Sequence, residues 1–325
     1  MKAAVVTAQG LALQDVPMPK PGPQQILVKL RAIGLNRADL GVAAGHAHGS
    51  QGGVGAIPGL EGAGEIVECG SEVPKTLQPG MRVMGGMAGS YAEYALADWG
   101  RVSLVPDTNM PWEVAATLPV ALQTMHDAVV THGLCAPGKA IMIQGASSGV
   151  GLMGMQIAKL MGASVVVGSS TNSEKRARLS EFGATLAVDT NDPTWVKQVL
   201  DATGGRGVDA VVDQISGPLV SQTLAATAIL GRIVNVGRLG GAKAEFDFDL
   251  HAARRISYIG VTFRTRSTEE VREIVRKMRA DLWPALEAGK LALPIDKVFP
   301  LDQVVEALAH MKANQHFGKI AMVTG

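Results

Sequence analysis

One junction restricts this chain more than any other. The apolar stretch Lys139–Gln144 passes through Gly145-Ala146-Ser147-Ser148-Gly149-Val150-Gly151 into a helix-length segment that runs to Met161. A strand that turns on small residues directly into a helix lets backbone amides and the positive end of the helix dipole face an anion closely. It is the setting a dinucleotide fingerprint requires. Ala146 and Ser148 stand where two of the three fingerprint glycines would be, so the turn has to be weighed with what surrounds it.

The surroundings repeat the pattern. Ser164–Gly168 is followed by a helical segment over Ser173–Phe182, Leu186–Val188 by Thr194–Ala202, and Val208–Asp213 by Gly217–Leu230, with Arg232–Val236 next. Short Val- and Ile-rich runs alternating with helix-length segments predict βαβ units and a parallel sheet covered on both faces. Right-handed crossovers then give a doubly wound sheet. This region is assigned residues 121–260. Before it, runs such as Lys2–Val6, Gln25–Leu35, Ala63–Cys69, Met81–Met84 and Tyr91–Ala97, separated by Gly and Pro, predict a compact β structure. After it come a strand over Ile256–Phe263, a charged amphipathic helix from Ser267, a helix over Leu301–Lys312 and a last strand, Lys319–Val323. That tail is placed with the first region, so one domain comprises 1–120 and 261–325. The stretch Gly45–Gly59 reads as a loop.

Composition removes several function classes. The formal net charge of the 325 residues is +1, without a basic block or acidic tail, so no nucleic-acid or membrane-surface footprint is expected. No uncharged apolar run approaches the roughly 20 residues of a membrane span. The opening MKAAVVTAQG lacks the basic-then-apolar pattern of a signal peptide, and a cytoplasmic location is expected. Cys69 and Cys135 are the only cysteines, too few for a disulfide framework or a thiolate zinc cluster.

The second strand of the repeat bears on the cofactor. NAD sites place an Asp or Glu about 20 residues beyond the turn to hold a ribose hydroxyl. Here the strand ends Gly168-Ser169-Ser170-Thr171-Asn172, and the first acid is Glu174. A 2′-phosphate is therefore expected among Ser170 and its neighbours, with Lys175 as the direct contact and Arg176 and Arg178 nearby. The cofactor so predicted is NADPH, held by Ala146, Ser147, Ser148, Gly149, Val150 and Gly151 at the turn. The basic residues are equally at home on a solvated helix face.

Motifs spread over nearly the whole chain resemble those of the medium-chain dehydrogenases/reductases, and within them the zinc-independent quinone oxidoreductases related to zeta-crystallin. They are Gly34-Leu35-Asn36-Arg37-Ala38-Asp39-Leu40, Pro58–Gly64, Pro79–Val83, Tyr91–Tyr94, Ala146–Gly151, Thr203–Asp209, Val261–Arg266 and Phe317–Ile320. The resemblance implies an α/β fold, a GroES-like β domain plus a Rossmann doubly wound parallel sheet, and a homodimer through the strand at Ile256–Val261. Zinc-dependent relatives place cysteine where this chain has Asn36 and histidine where it has Leu60, so no metal site is expected. His46 and His48 form an H-x-H pair that suits either a metal or an ordinary surface loop.

Without a Lewis acid to stabilise an alkoxide, the acceptors expected are electron-poor already: quinones or other enones. The resemblance puts Asn36 and Thr124 beside the nicotinamide, assigns Asp39 a structural role in its helix, and has Val236, Gly237, Phe263 and Arg264 line the cofactor cleft. The loop tyrosine of many relatives is absent here, where the chain reads His46-Ala47-His48. Two other readings share the cofactor motifs, an enoyl-thioester or alkenal reductase and a nucleotide-binding protein without catalysis. A short-chain dehydrogenase does not fit. It needs a Tyr-x-x-x-Lys pair, and the residues four places beyond the three tyrosines are Ala95, Asp98 and Thr262.

Overall fold

The computed structural model describes residues 1–47, 49, 52–106 and 109–325, so His48 of the H-x-H pair lies outside the described residues. The chain divides into two compact units, Met1–Val120 with Phe263–Gly325, and Ala121–Thr262.

The first unit opens with a hairpin of β1 (Lys2–Thr7) and β2 (Gly10–Asp15). Then come β3 (Gln25–Gly34), α1 (Arg37–Ala43), β4 (Glu61–Cys69), β5 (Arg82–Gly86), β6 (Tyr94–Asp98), β7 (Val102–Leu104) and α2 (Trp112–Thr117). The helix α3 (Pro119–Met125) crosses the boundary between the units.

In the second unit α3 continues as a π-helix, His126–His132. Six strands come next with their helices: β8 (Ala140–Ile143), α4 (Gly149–Leu160), β9 (Val165–Ser169), α5 (Ser173–Ala177), β10 (Leu186–Val188), α6 (Trp195–Ala202), β11 (Val208–Asp213), α7 (Val220–Ala226), β12 (Thr227–Asn235), α8 (Phe248–Arg254) and β13 (Ser257–Gly260). The chain then returns to the first unit with α9 (Thr268–Glu287), β14 (Ile295–Pro300), α10 (Val304–Lys312) and β15 (Lys319–Val323).

The second unit is the doubly wound α/β sheet that the alternation predicts. Its order is β10-β9-β8-β11-β12-β13, with every pairing parallel. In order of appearance that is 3-2-1-4-5-6, and such sheets bind ligands outside the carboxyl ends of their strands. β8 is buried along its whole length, as a strand covered on both faces must be. Trp195 is fully buried in the core formed by β8–β12 and α6–α7.

The first unit is built on a seven-stranded sheet, β14-β15-β3-β4-β5-β7 with β6 also on β3. Only β14–β15 is parallel. Where β3 and β4 meet, a Cβ on Gly34 would stand 2.4 Å from the Ala116 carbonyl and 2.6 Å from Glu61 Oε1. Only glycine lets the Glu61 carboxylate come this close to the β3 backbone.

Three predicted elements differ in extent. The helical segment over Gly217–Leu230 is a 3-10 turn followed by α7, which stops at Ala226. Thr227 already pairs with Val208, Leu230 takes φ 63°, and regular pairing resumes at Arg232 opposite Ala210, so β12 starts early and carries a bulge. The segment Ser173–Phe182 is a short α5 and a 3-10 turn closed by Gly183 at φ 97°. The strand expected over Ile256–Phe263 pairs only over Ser257–Gly260, because its one neighbour β12 ends opposite Gly260.

Candidate functional site

The glycine-rich turn sits at the carboxyl end of β8. Gly145 takes φ 69°, its N–H reaches Ser169 Oγ at 3.2 Å, and the Ala146 N–H reaches the Ser169 carbonyl at 2.9 Å. Gln214 Nε2 donates to the Gln144 and Gly145 carbonyls at 3.0 and 3.3 Å, tying the turn to the end of β11. Ser148 is the N-cap of α4. Its Oγ accepts from the Gly151 N–H at 3.0 Å, and its hydroxyl donates to the Gly145 carbonyl, also at 3.0 Å.

A Cβ on Gly151 would lie 2.6 Å from the Gly145 carbonyl and 2.7 Å from Ala146 Cα, so the helix start packs on the turn backbone and any side chain would push them apart. The first-turn amides of Gly149 and Val150 have no partner within the helix. Amides so placed are able to receive an anion. Ala146 contributes differently from its neighbours, being fully buried with its N–H already used.

At the end of β9, Ser170 Oγ donates to Ser147 Oγ at 3.1 Å, joining strand end and turn. Asn172 caps α5 by accepting from the Lys175 N–H at 2.9 Å. Arg176 also reaches Ser170 with its guanidinium. Its Nη1 donates to the Ser170 carbonyl at 2.8 Å and to Asp189 Oδ2 at 3.0 Å. Sequence reasoning missed Asp189, because it arrives from the next strand. β10 pairs with β9 so that Val188 faces Ser169, which leaves Asp189 beside Ser170.

The remaining predicted cofactor residues divide between the units. In the second, Thr124 is half-buried near the end of α3, just before the π-helix, an irregularity often found near functional sites. Val236 and Gly237 come directly after β12, both N–H groups donating to the Asp213 carbonyl at 2.8 and 3.1 Å. A Cβ on Gly237 would stand 2.6 Å from the Gln214 carbonyl. Phe263 and Arg264 lie in the first unit, half-buried and exposed respectively.

The first unit also holds a buried polar cluster around Asn36. Lys319 Nζ donates to Glu61 Oε1 at 2.6 Å, to Asn36 Oδ1 at 2.9 Å and to the Leu35 carbonyl at 3.0 Å. The Asn36 amide donates to Glu61 Oε1 at 2.9 Å, and Glu61 Oε2 accepts from the Val120 N–H at 2.7 Å. Glu61 is 0% and Lys319 4% exposed. Asn36 is thereby fixed in one orientation by a cation on its oxygen and an anion on its nitrogen.

Asp39 is the structural residue expected of it. One carboxylate oxygen accepts from the Asn36 N–H at 2.8 Å and the Tyr91 hydroxyl at 2.9 Å, while the other has no partner among the described residues. Complete burial pushes its pKa up to about 7, against the pull of those two donors and Lys319. Burial and the neighbouring carboxylates also hold the Tyr91 phenol well above its ordinary value.

The cluster does not suit a metal ion. A divalent cation at Glu61 would have to displace an ammonium already bonded to it, and the amide of Asn36 is a weak ligand beside thiolate or imidazole. Among the described residues no three His, Cys, Asp or Glu side chains converge to hold one. Both thiols are quiet as well. Burial pushes Cys135 up to about 11 and raises Cys69.

Two family descriptions match the chain in succession, the alcohol dehydrogenase GroES-like domain over residues 22–107 and the zinc-binding dehydrogenases over residues 149–280. A segment of a highly reducing polyketide synthase of Emericella nidulans is 24% identical over 315 residues, 95% of this chain but 12% of that protein. The chain thus spans a small part of such relatives. A quinone oxidoreductase of Sus scrofa is 27% identical, the match covering 90% of this chain and 87% of the pig protein. Among solved structures, an NAD-dependent alcohol dehydrogenase superposes with a TM-score of 0.84 at 28% identity and 100% coverage of both chains. A mycobacterial protein complexed with NADPH gives 0.88 at 24%, also covering 100% of both, a likeness of fold.

The buried pair leads to the first prediction. Replacing Lys319 with Met strands the Glu61 carboxylate in the core and lowers stability by about 3–5 kcal/mol, measured by denaturant unfolding. Adding Glu61→Gln to that variant should recover part of the loss. Strictly additive losses would mean the two groups are not coupled.

A second concerns Asp39. Between its unfolded pKa of about 4 and the folded value of about 7, the native state holds a proton that the unfolded state has released. Its contribution is complete below pH ~4, falls as pH rises to about 7 and is flat above. Relative to Asp39→Asn, the wild-type protein should therefore lose melting temperature across that window. A difference independent of pH would contradict the raised pKa.

Proposed function

Since the chain belongs to the medium-chain dehydrogenase/reductase family, we propose that it is a zinc-independent oxidoreductase that uses NADPH to reduce a quinone or another activated enone. The observation that carries the cofactor reading is the Gly151–Gly145 packing, which brings the first-turn amides of α4 to the mouth of the parallel sheet. Ser147, Ser148, Gly149 and Val150 would hold the diphosphate. Ser170, Lys175 and Arg176 would hold the 2′-phosphate, Arg176 being bonded already to the Ser170 carbonyl. Bound NADPH supplies the hydride.

The chain's own residues position and polarise. We assign Asn36 and Thr124 to orienting the reacting groups, with Val236, Gly237, Phe263 and Arg264 lining the cleft. Asn36 acts as a fixed dipole, because Lys319 and Glu61 allow its amide no second orientation. One amide hydrogen serves Glu61 and the other points to the Gly34 carbonyl at 3.4 Å, so Asn36 offers an incoming group its oxygen. It would receive a hydroxyl donor, while negative charge developing on the substrate oxygen needs a donor from elsewhere.

The near full-length match to a segment of a reducing polyketide synthase favours a second reading, reduction of an enoyl thioester. The same cradle serves both. Steady-state kinetics with a quinone panel and an enoyl-thioester panel, each with NADPH, decides between them. The expected result is a kcat/KM at least tenfold higher for the quinones. The reverse order would establish the thioester reading, and no turnover with either would remove both.

We also assign a homodimer to β13, whose pattern of exposure leaves an open sheet edge for a second copy. Light scattering at micromolar concentration should give twice the chain mass. The mass of one chain would end that assignment.

A further inference from the structure

Resting on the cofactor reading above, we infer that Asp189 sets this chain's choice between phosphorylated and unphosphorylated nicotinamide cofactors by competing with the 2′-phosphate for Arg176. In linear sequence the end of β9 carries no acid, and that absence predicts an undisturbed phosphate site. The sheet register restores one. Val188 opposite Ser169 brings Asp189 beside Ser170, next to the strand end at which NAD sites carry their carboxylate.

The geometry makes Asp189 and the phosphate rivals. Arg176 Nη1 is shared between the Ser170 carbonyl at 2.8 Å and Asp189 Oδ2 at 3.0 Å. Asp189 Oδ1 accepts from the Asn191 N–H at 2.9 Å, which fixes the carboxylate's position. A 2′-phosphate drawing on the same guanidinium brings close to two negative charges beside a third. Both side chains are only about a quarter exposed, at 25% and 26%, so water screens this repulsion incompletely. Without the phosphate the same carboxylate keeps its bond to Arg176 Nη1 and is available to a ribose hydroxyl. Asp189 thus penalises the phosphorylated cofactor and tolerates the other, giving a chain that prefers NADPH by a narrow margin and also accepts NADH.

The test is Asp189→Asn, which keeps the acceptor for the Asn191 N–H and the shape of the side chain while removing the charge. The measured quantity is the ratio of kcat/KM for NADPH to that for NADH, with the dissociation constants of NADP+ and NAD+ by calorimetry as a second readout. The ratio should rise about tenfold through tighter NADPH binding, and the gain should shrink as salt is raised. In an Arg176→Gln background the same substitution should bring much less, since the contested group is gone. An unchanged ratio with both nucleotides still bound overturns the inference alone. Failure of the wild-type protein to bind either nucleotide overturns the cofactor reading and this inference with it.

Discussion

The first unit is organised around an ammonium group that has almost no contact with water. Lys319 opens β15, yet its Nζ is bonded to the loop between β3 and α1 and to the first residue of β4. A charge so buried is tolerable only when its partners are complete, and here a carboxylate, an amide oxygen and a main-chain carbonyl surround it. That requirement explains several choices at once. Gly34 has to lack a side chain for Glu61 to enter. Glu61 spends its other oxygen on the Val120 N–H, and Asn36 has no freedom to flip.

The second unit rests on a close approach of backbone to backbone, and the contrast between the units explains what the sequence can reveal. Strand–helix alternation with a small-residue turn is a local signal, so the parallel, doubly wound sheet is legible from hydrophobic runs and their spacing. Where tertiary pairing overrides local preference, the sequence misleads. Ala228, Ile229 and Leu230 have helix-compatible side chains, but pairing with β11 draws Thr227 and the bulge after it into β12.

The sites divide in the same way. Asn36 and the turn can be found because they occupy fixed places in contiguous motifs. Lys319 and Asp189 cannot, since each matters through a partner that only the fold supplies. Lys319 meets Glu61 across 258 residues of chain, and Asp189 meets Arg176 through the register of two neighbouring strands. The structural role of Asp39 is legible from its place in the motif. Its elevated pKa is not, because that depends on complete burial, which outweighs the donors from Asn36 and Tyr91.

The two cysteines acquire a meaning from the chemistry proposed. Quinones and enones are Michael acceptors, and the side chain that adds to them most readily is a thiolate. Burial keeps the sulfur of Cys135 protonated across the physiological range and disfavours ionisation of Cys69. Toward the electrophilic acceptors proposed, both thiols are thus held in their less reactive, protonated form.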